Sequence, residues 1–339
     1  MSLKIAENAR WVRAWYAAPT KMIAAGLSGR TFRQELQLHA GGEQVRLLLS
    51  NRYGENPVTL TSLSVAAVAS MFDPAEDHVV RFSSKPTVTM PAGQDIVSDP
   101  VPMRVKAFAR LWITFFLAEG DCMTGHGEAR QTSYLSGMGN IAMLPKAAQF
   151  MISPLKAASW WLISGVDVVP MRPINCLVAF GSSTTDGTGS TQDANRRWPD
   201  YLARRLAESS PDRFMSVVNA GIAANLLTEY KPDLSGFGFG AFQMPDYLFG
   251  ETGLRRMQWD VLAQPGATDL IVHIGSNDLR VGVSAPTLIE AFQLLSKGGS
   301  EKIPPCIRHD YFARGLSGST SRTAKDRQQM VARRRPQLF

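Results

Sequence analysis

Cysteine is scarce in this 339-residue chain, which holds only Cys122, Cys176 and Cys306. Three scattered thiols with no Cys-x-x-Cys pair exclude a disulfide framework and a structural zinc finger, and they fit a reducing compartment; Cys176, inside an apolar run, reads as a small core residue. No stretch approaches the roughly 18 consecutive apolar residues that cross a bilayer. Residues 1–20 also lack a basic region followed by a continuous apolar core, so the chain as written is expected to be cytoplasmic with no membrane span. The glycines of 181–189 have neither Gly-x-Gly-x-x-Gly spacing nor a following Lys, which excludes a phosphate cradle. No His/Asp/Glu cluster has metal-ligand spacing, and no cofactor is expected. Net charge is nearly absent from the body. The net charge is +7, but residues 298–339 contribute nine Lys/Arg against three Asp/Glu, or +6, leaving +1 for the preceding 297. A near-neutral body gives no electrostatic groove for nucleic acid, and the tail around Arg333, Arg334 and Arg335 lacks the aromatic interleaving of a nucleic-acid reader.

Apolar residues are plentiful, at 45% of the chain, enough to build real cores in two domains. Short alternating runs separated by Gly, Pro, Asn and Asp fill residues 31–118, and 159–163 adds a last run, predicting an antiparallel β-sandwich of about seven to nine strands within residues 1–170. After Pro173 the pattern changes. Apolar runs at 176–180, 214–218 and 269–274 alternate with helical periodicity at 196–209, 253–263 and 284–296. That alternation predicts an α/β domain over 171–297, a doubly wound parallel sheet whose ligands sit beyond the carboxyl ends of its strands.

Three segments fall at such strand ends. Residues 180–187, Phe-Gly-Ser-Ser-Thr-Thr-Asp-Gly, place Ser183 where a strand turns into a helix, so that its hydroxyl projects from the sheet edge beside N–H groups that favour negative charge. The same residues also read as a polar βα loop with an N-cap, and Asp186 as a turn or capping residue. Gly221 ends the run 217–220 and lacks a Cβ, allowing close approach of a ligand to its N–H. Asn277 follows the strand 270–274 within Gly275-Ser276-Asn277-Asp278 and carries an amide able to donate to an oxyanion.

In this order the three segments resemble the SGNH (GDSL) hydrolase family, with Ser182 where Gly-Asp-Ser usually has aspartate. Further likeness to its two-domain bacterial members, in Gly41-Gly42-Glu43-Gln44-Val45-Arg46, Leu49 to Gly54 and Asp193 to Asp200, extends the resemblance over residues 10–296. The resemblance implies a flavodoxin-like fold and hydrolysis of a carboxylic ester, from a small molecule or a carbohydrate, through a Ser183 acyl-enzyme. Gly221 and Asn277 would then form the oxyanion hole. It also implies a late Asp-x-x-His block, and this chain has none. His39, His78 and His126 lie in the β region, His273 reads as a satisfied core histidine, and only His309, beside Asp310, falls in the right part of the chain. Periodicity, charge balance and resemblance stop together near residue 297, so 298–339 reads as a basic, frameshifted tail and the hydrolase domain as C-terminally incomplete. A catalytically inactive remnant that at most binds ligand is the alternative function.

Overall fold

A computed structural model describes residues 11–22, 26–68, 76–144, 155–209, 211–229 and 250–300. The β region contains β1 (Val12–Tyr16), β2 (Thr20–Lys21), β3 (Arg30–Gln37), β4 (Gly42–Ser50), β5 (Val58–Ala67), β6 (His78–Val79), β7 (Val88–Met90), β8 (Asp95–Val97), β9 (Val101–Val105), β10 (Arg110–Glu119), β11 (Thr124–His126), β12 (Ser133–Met138), β13 (Leu155–Ala157), β14 (Trp160–Trp161) and β15 (Ile163–Val168). These are more strands than the expected seven to nine, and they form three antiparallel sheets. The larger two run β13-β12-β3-β10-β5-β6, with β7 on β5, and β1-β15-β4-β8, with β9 on β4; the third is β14-β11-β2. Strict alternation shows in β9, whose residues run buried, exposed, buried, exposed, buried, as a sheet with one wet face requires. The two larger sheets bury a shared core that includes Leu47 and Leu49 of β4, and Phe32 and Phe115, which stack at 4.9 Å across β3 and β10.

The second half begins with β16 (Cys176–Gly181), buried at every residue, which leads through α1 (Ser183–Asp186) to α2 (Trp198–Ser209). Then come β17 (Ser216–Gly221), α3 (Gly253–Met257) continuing into a π-helical turn (Gln258–Leu262), β18 (Ala267–His273), α4 (Ser276–Arg280) and α5 (Ala285–Ser300). The strands pair in parallel in the order β17-β16-β18. Ala203 of α2 packs with Leu177 and Val217 on one face, while Met257, Val261, Leu288 and Ala291 cover the other. The described residues thus give three parallel strands wound on both faces, a part of the expected sheet. Among them β18 pairs only with β16, and all seven of its residues are partly buried. An edge strand with Leu270, Ile271 and Val272 half-covered leaves main-chain groups open to pairing. Residues 301–339, with Cys306, His309 and the tail arginines, lie outside the described residues.

The halves share structure. β1 pairs antiparallel with β15, and the chain just beyond it bridges in parallel to β17 through Ala17 and Asn219. Val12, Tyr16 and Ala18 are buried in the same cluster as Val178, Phe180 and Val218.

Candidate active site

Register fixes where the three segments meet. Gly181 lies opposite Gly221 on one side and His273 on the other, so the loops that follow β16, β17 and β18 leave one edge of the sheet at the ~4.8 Å spacing of neighbouring strands. Ser183, two residues past Gly181, opens α1, which ends after one turn because Gly187 takes φ 102° and returns its N–H to the Ser183 carbonyl at 2.9 Å. The Ser183 side chain is partly buried, and among the described residues its hydroxyl has no hydrogen-bond partner. Ser182 makes no side-chain cap. Where an aspartate would brace this turn, other groups do so: Ser182 N–H donates to His273 O at 3.2 Å, and Asn219 Nδ2 donates to Thr185 O at 2.7 Å.

Asp186 does more than cap a turn. Buried, it accepts from Ala223 N–H at 2.7 Å through Oδ2 and pairs at 2.9 Å with His126 Nε2 through Oδ1. His126 Nδ1 lies 2.9 Å from Ala18 O, so both ring nitrogens face acceptors and only the imidazolium satisfies both. Burial disfavours that charge, yet Asp186 and the Ala18 carbonyl hold the His126 pKa above the ordinary imidazole value. A second clasp repeats the pattern, with His39 between Val217 O and Asp200 Oδ1, the latter at 3.0 Å. Burial would raise the Asp200 pKa, but the His39 hydrogen bond, with Arg197 nearby, holds it below the usual range. Two histidines of the β region therefore bind carboxylates of α1 and α2, and neither offers a free nitrogen to Ser183.

The structure corrects two expectations. Gly221 N–H is taken by Asn219 Oδ1 at 2.8 Å, and a Cβ at Gly221 would stand 2.2 Å from Asp186 N. This glycine lets α1 pack onto β17, leaving its N–H closed to a ligand. The loop beyond it instead places Ala224 at φ 60°, a left-handed conformation that favours glycine, and no described group accepts its N–H. His273 is also not a satisfied core histidine. It is half-buried on the partly covered β18, with Nδ1 unpartnered among the described residues.

After β18 the chain turns at Gly275, φ 106°, where Cβ would come within 3.3 Å of Leu288 and Phe292. Asn277, 9% exposed, donates one amide proton to Asn225 O at 3.0 Å, beside Ala224. Asp278 is fully buried and accepts from Leu227 N–H at 2.9 Å, Thr228 N–H at 2.9 Å and Thr228 Oγ1 at 2.8 Å, tying this turn to the one after β17. Beneath them Arg256 of α3, 1% exposed, donates to Gly181 O at 2.8 Å, Ala220 O at 2.7 Å, Asn225 Oδ1 at 3.0 Å and Asp260 Oδ2 at 2.8 Å, with its guanidinium over the Phe180 ring. Asp260 also accepts from Tyr16 OH at 2.6 Å. One buried cation thus fixes two strand ends and a loop of the candidate site. Among the described residues no group of three His, Cys, Asp or Glu side chains gathers to hold a metal, and no helix is long and apolar enough to cross a membrane.

A serine at the first strand end, a glycine at the second and Gly-x-Asn-Asp at the third are the features by which the sequence resembles SGNH hydrolases. Residues 179–302 match the model of the GDSL-like Lipase/Acylhydrolase family. The match runs a few residues beyond the expected limit at 296 and covers the GDSL-like half alone. Among solved structures AlinE4, an SGNH-hydrolase family esterase, is 23% identical over 40% of this chain and 58% of its own, with a TM-score of 0.30. This chain therefore spans little more than half the length of AlinE4. A family two carbohydrate esterase from Cellvibrio japonicus aligns over 91% of this chain and 80% of its own at 9% identity and a TM-score of 0.27. The corresponding Clostridium thermocellum enzyme, solved with cellohexaose, aligns over 90% and 76% at 10% identity and a TM-score of 0.28. No curated protein matches the chain.

Proposed function

We propose that the GDSL-like half hydrolyses carboxylic esters of small molecules or carbohydrates, with Ser183 as nucleophile. Its oxyanion donors are the Ala224 N–H, in place of Gly221, and the second amide proton of Asn277. The observation that carries this is the Ser183 hydroxyl, unpartnered at the end of β16 and flanked in register by those two loops. In the first step Ser183 Oγ bonds to the acyl carbon, the carbonyl π electrons move onto oxygen between the two donors, and the alkoxide leaves as the acyl-enzyme forms. Two N–H donors aimed at that oxygen are each worth about 3–4 kcal/mol in comparable sites. The hydroxyl proton requires a base. Among the described residues none touches Oγ, and His309 lies outside them. That gap favours a second reading, a chain that binds esters but turns them over little, since loss of the base in a serine triad costs several orders of magnitude.

The test is hydrolysis of p-nitrophenyl acetate and butyrate by the full chain beside Ser183→Ala, with labelling by an organophosphonate probe as a second readout. Turnover and labelling lost together in Ser183→Ala support the hydrolase. Labelling of Ser183 without turnover supports the inactive binder, and turnover unchanged in Ser183→Ala rejects Ser183 as nucleophile.

A further inference from the structure

Asp186 joins the serine turn to the loop that carries Ala224. Its N–H donates to Ser182 O at 2.9 Å and closes the turn around Ser183, while its Oδ2 accepts from Ala223 N–H at 2.7 Å, one residue before Ala224. The other carboxylate oxygen faces the β region, where Oδ1 lies 2.9 Å from His126 Nε2, and His126 Nδ1 lies 2.9 Å from Ala18 O. His126 is 5% exposed and Asp186 2%, so water competes little for these contacts. Two acceptors on one imidazole require two N–H groups, and only the protonated ring has them. A neutral ring turns a lone pair toward either Asp186 or Ala18, a mismatch that buried groups seldom keep.

Few charges surround the ring. Asp186 comes from α1 and Arg197 from the segment before α2, and a cavity of about 20 Å³ is lined by both together with His39 and Asp200 of the second clasp. Burial opposes the charged ring, as does Arg197, but Asp186 and the Ala18 carbonyl outweigh them and hold the His126 pKa above the ordinary imidazole value. Arg197 also ties the turn to the β region without a titrating proton, donating from Nε to Asp186 O at 2.8 Å and from Nη2 to Ala129 O. Loss of the His126 proton therefore loosens the turn and does not detach it.

We infer that His126 is a positioning residue whose proton latches the Ser183 turn to the Ala223–Ala224 loop, so that the site is assembled while the ring is protonated and loosened when that proton leaves to solvent. With the neutral ring Asp186 loses a fixed partner, and the loop it holds through Ala223 is free to shift against Ser183. The effect on turnover rests on the ester-hydrolase reading above; the effect on the backbone rests on the clasp alone.

Hydrogen exchange of the full chain tests the latch, read by mass spectrometry on peptides covering 182–188 and 221–226, in steps from about pH 6 to the onset of unfolding and corrected for intrinsic rates. Protection of both peptides should fall at least about tenfold across one titration, the worth of one charge-assisted hydrogen bond, while a peptide from β10 keeps its protection. His126→Gln, whose single amide nitrogen cannot serve both acceptors at any pH, should show the low protection throughout. Turnover of p-nitrophenyl acetate that Ser183→Ala abolishes should fall with the same midpoint; in His126→Gln that midpoint should vanish and kcat should drop about tenfold with KM little changed. If His126→Gln does not fold, the unmodified chain decides through the agreement of its exchange and kcat midpoints. Protection that stays level until the whole chain unfolds, midpoints that disagree, or a kcat midpoint that persists in folded His126→Gln would each overturn the latch. A pH-dependent loss of protection without Ser183-dependent turnover would uphold the latch and sink the hydrolase instead.

Discussion

Replacing Arg256 by methionine keeps an unbranched apolar stem in the same space and deletes a cation that four groups accept from. Arg256 and Asp260 are each 1% exposed, 2.8 Å apart. Without the guanidinium, Asp260 keeps Tyr16 OH and a distant Arg52, while Gly181 O, Ala220 O and Asn225 Oδ1 each lose a donor. Removing one partner of a buried ion pair costs about 3–5 kcal/mol. The orphaned acceptors add about 1 kcal/mol each where water cannot reach them, a cost that overlaps with the first. The expected loss is about 4 kcal/mol, read from urea unfolding followed by tryptophan fluorescence. Arg256→Met/Asp260→Asn, which removes the orphaned charge as well, should lose at least about 1 kcal/mol less than the sum of its parts. A single-variant loss under about 1.5 kcal/mol, or an additive double variant, would refute the view that this pair holds the strand ends together.

Other expectations concern the same rim. Asp278→Ala should lower stability by about 2–4 kcal/mol in urea melts, because the Leu227 and Thr228 N–H groups lose their acceptor; Asp278→Asn, retaining one oxygen, should lose clearly less. Gly275→Ala places a side chain at φ 106° and should cost about 1–2 kcal/mol in thermal unfolding. His126 has a folded pKa above its unfolded value of about 6.5, so its stabilising share is whole below pH 6.5 and fades as pH rises through the folded pKa. His126→Gln should flatten the fall in melting temperature as pH rises above about 6.5; an unchanged slope would remove the His126–Asp186 clasp from the account. Asp200, held below its usual range, acts in the opposite sense. Its share is present above about pH 4 and lost on further acidification, and Asp200→Asn should make the acid limb of the stability profile shallower.

Strand runs were legible because buried parallel strands are nearly continuous apolar segments: the run read at 176–180 folds as Cys176–Gly181 and that at 269–274 as Ala267–His273. The helix read over 253–263 is also present, but its sequence did not show a π-helical turn over its second half. Arg256 within it looked like one more polar helical residue. Its role exists only because segments near 181, 220, 225 and 260 converge, and no local pattern carries that. Gly221 attracted the oxyanion role because glycine frees a backbone, whereas its freedom serves the packing of α1. The left-handed position belongs to Ala224, whose identity conceals it. His126 and Asp186, 60 residues apart, carried no signal of one another. The positions of Ser183 and Asn277 just beyond strand ends were legible because periodicity had already located both strands.

β1 has a consequence for how this protein can be divided. Four of its five residues pair with the last strand of the β region, while Val12 and Tyr16 fill the core beneath β16 and Tyr16 reaches Asp260. A cut near residue 170 would leave the GDSL-like half without those side chains and without the histidines that face Asp186 and Asp200. Recombining either half with a foreign partner would expose buried carboxylates as well as apolar surface. The two halves are tied into one structural unit, so a transplanted serine turn would need β1 and both histidines to keep its buried carboxylates paired.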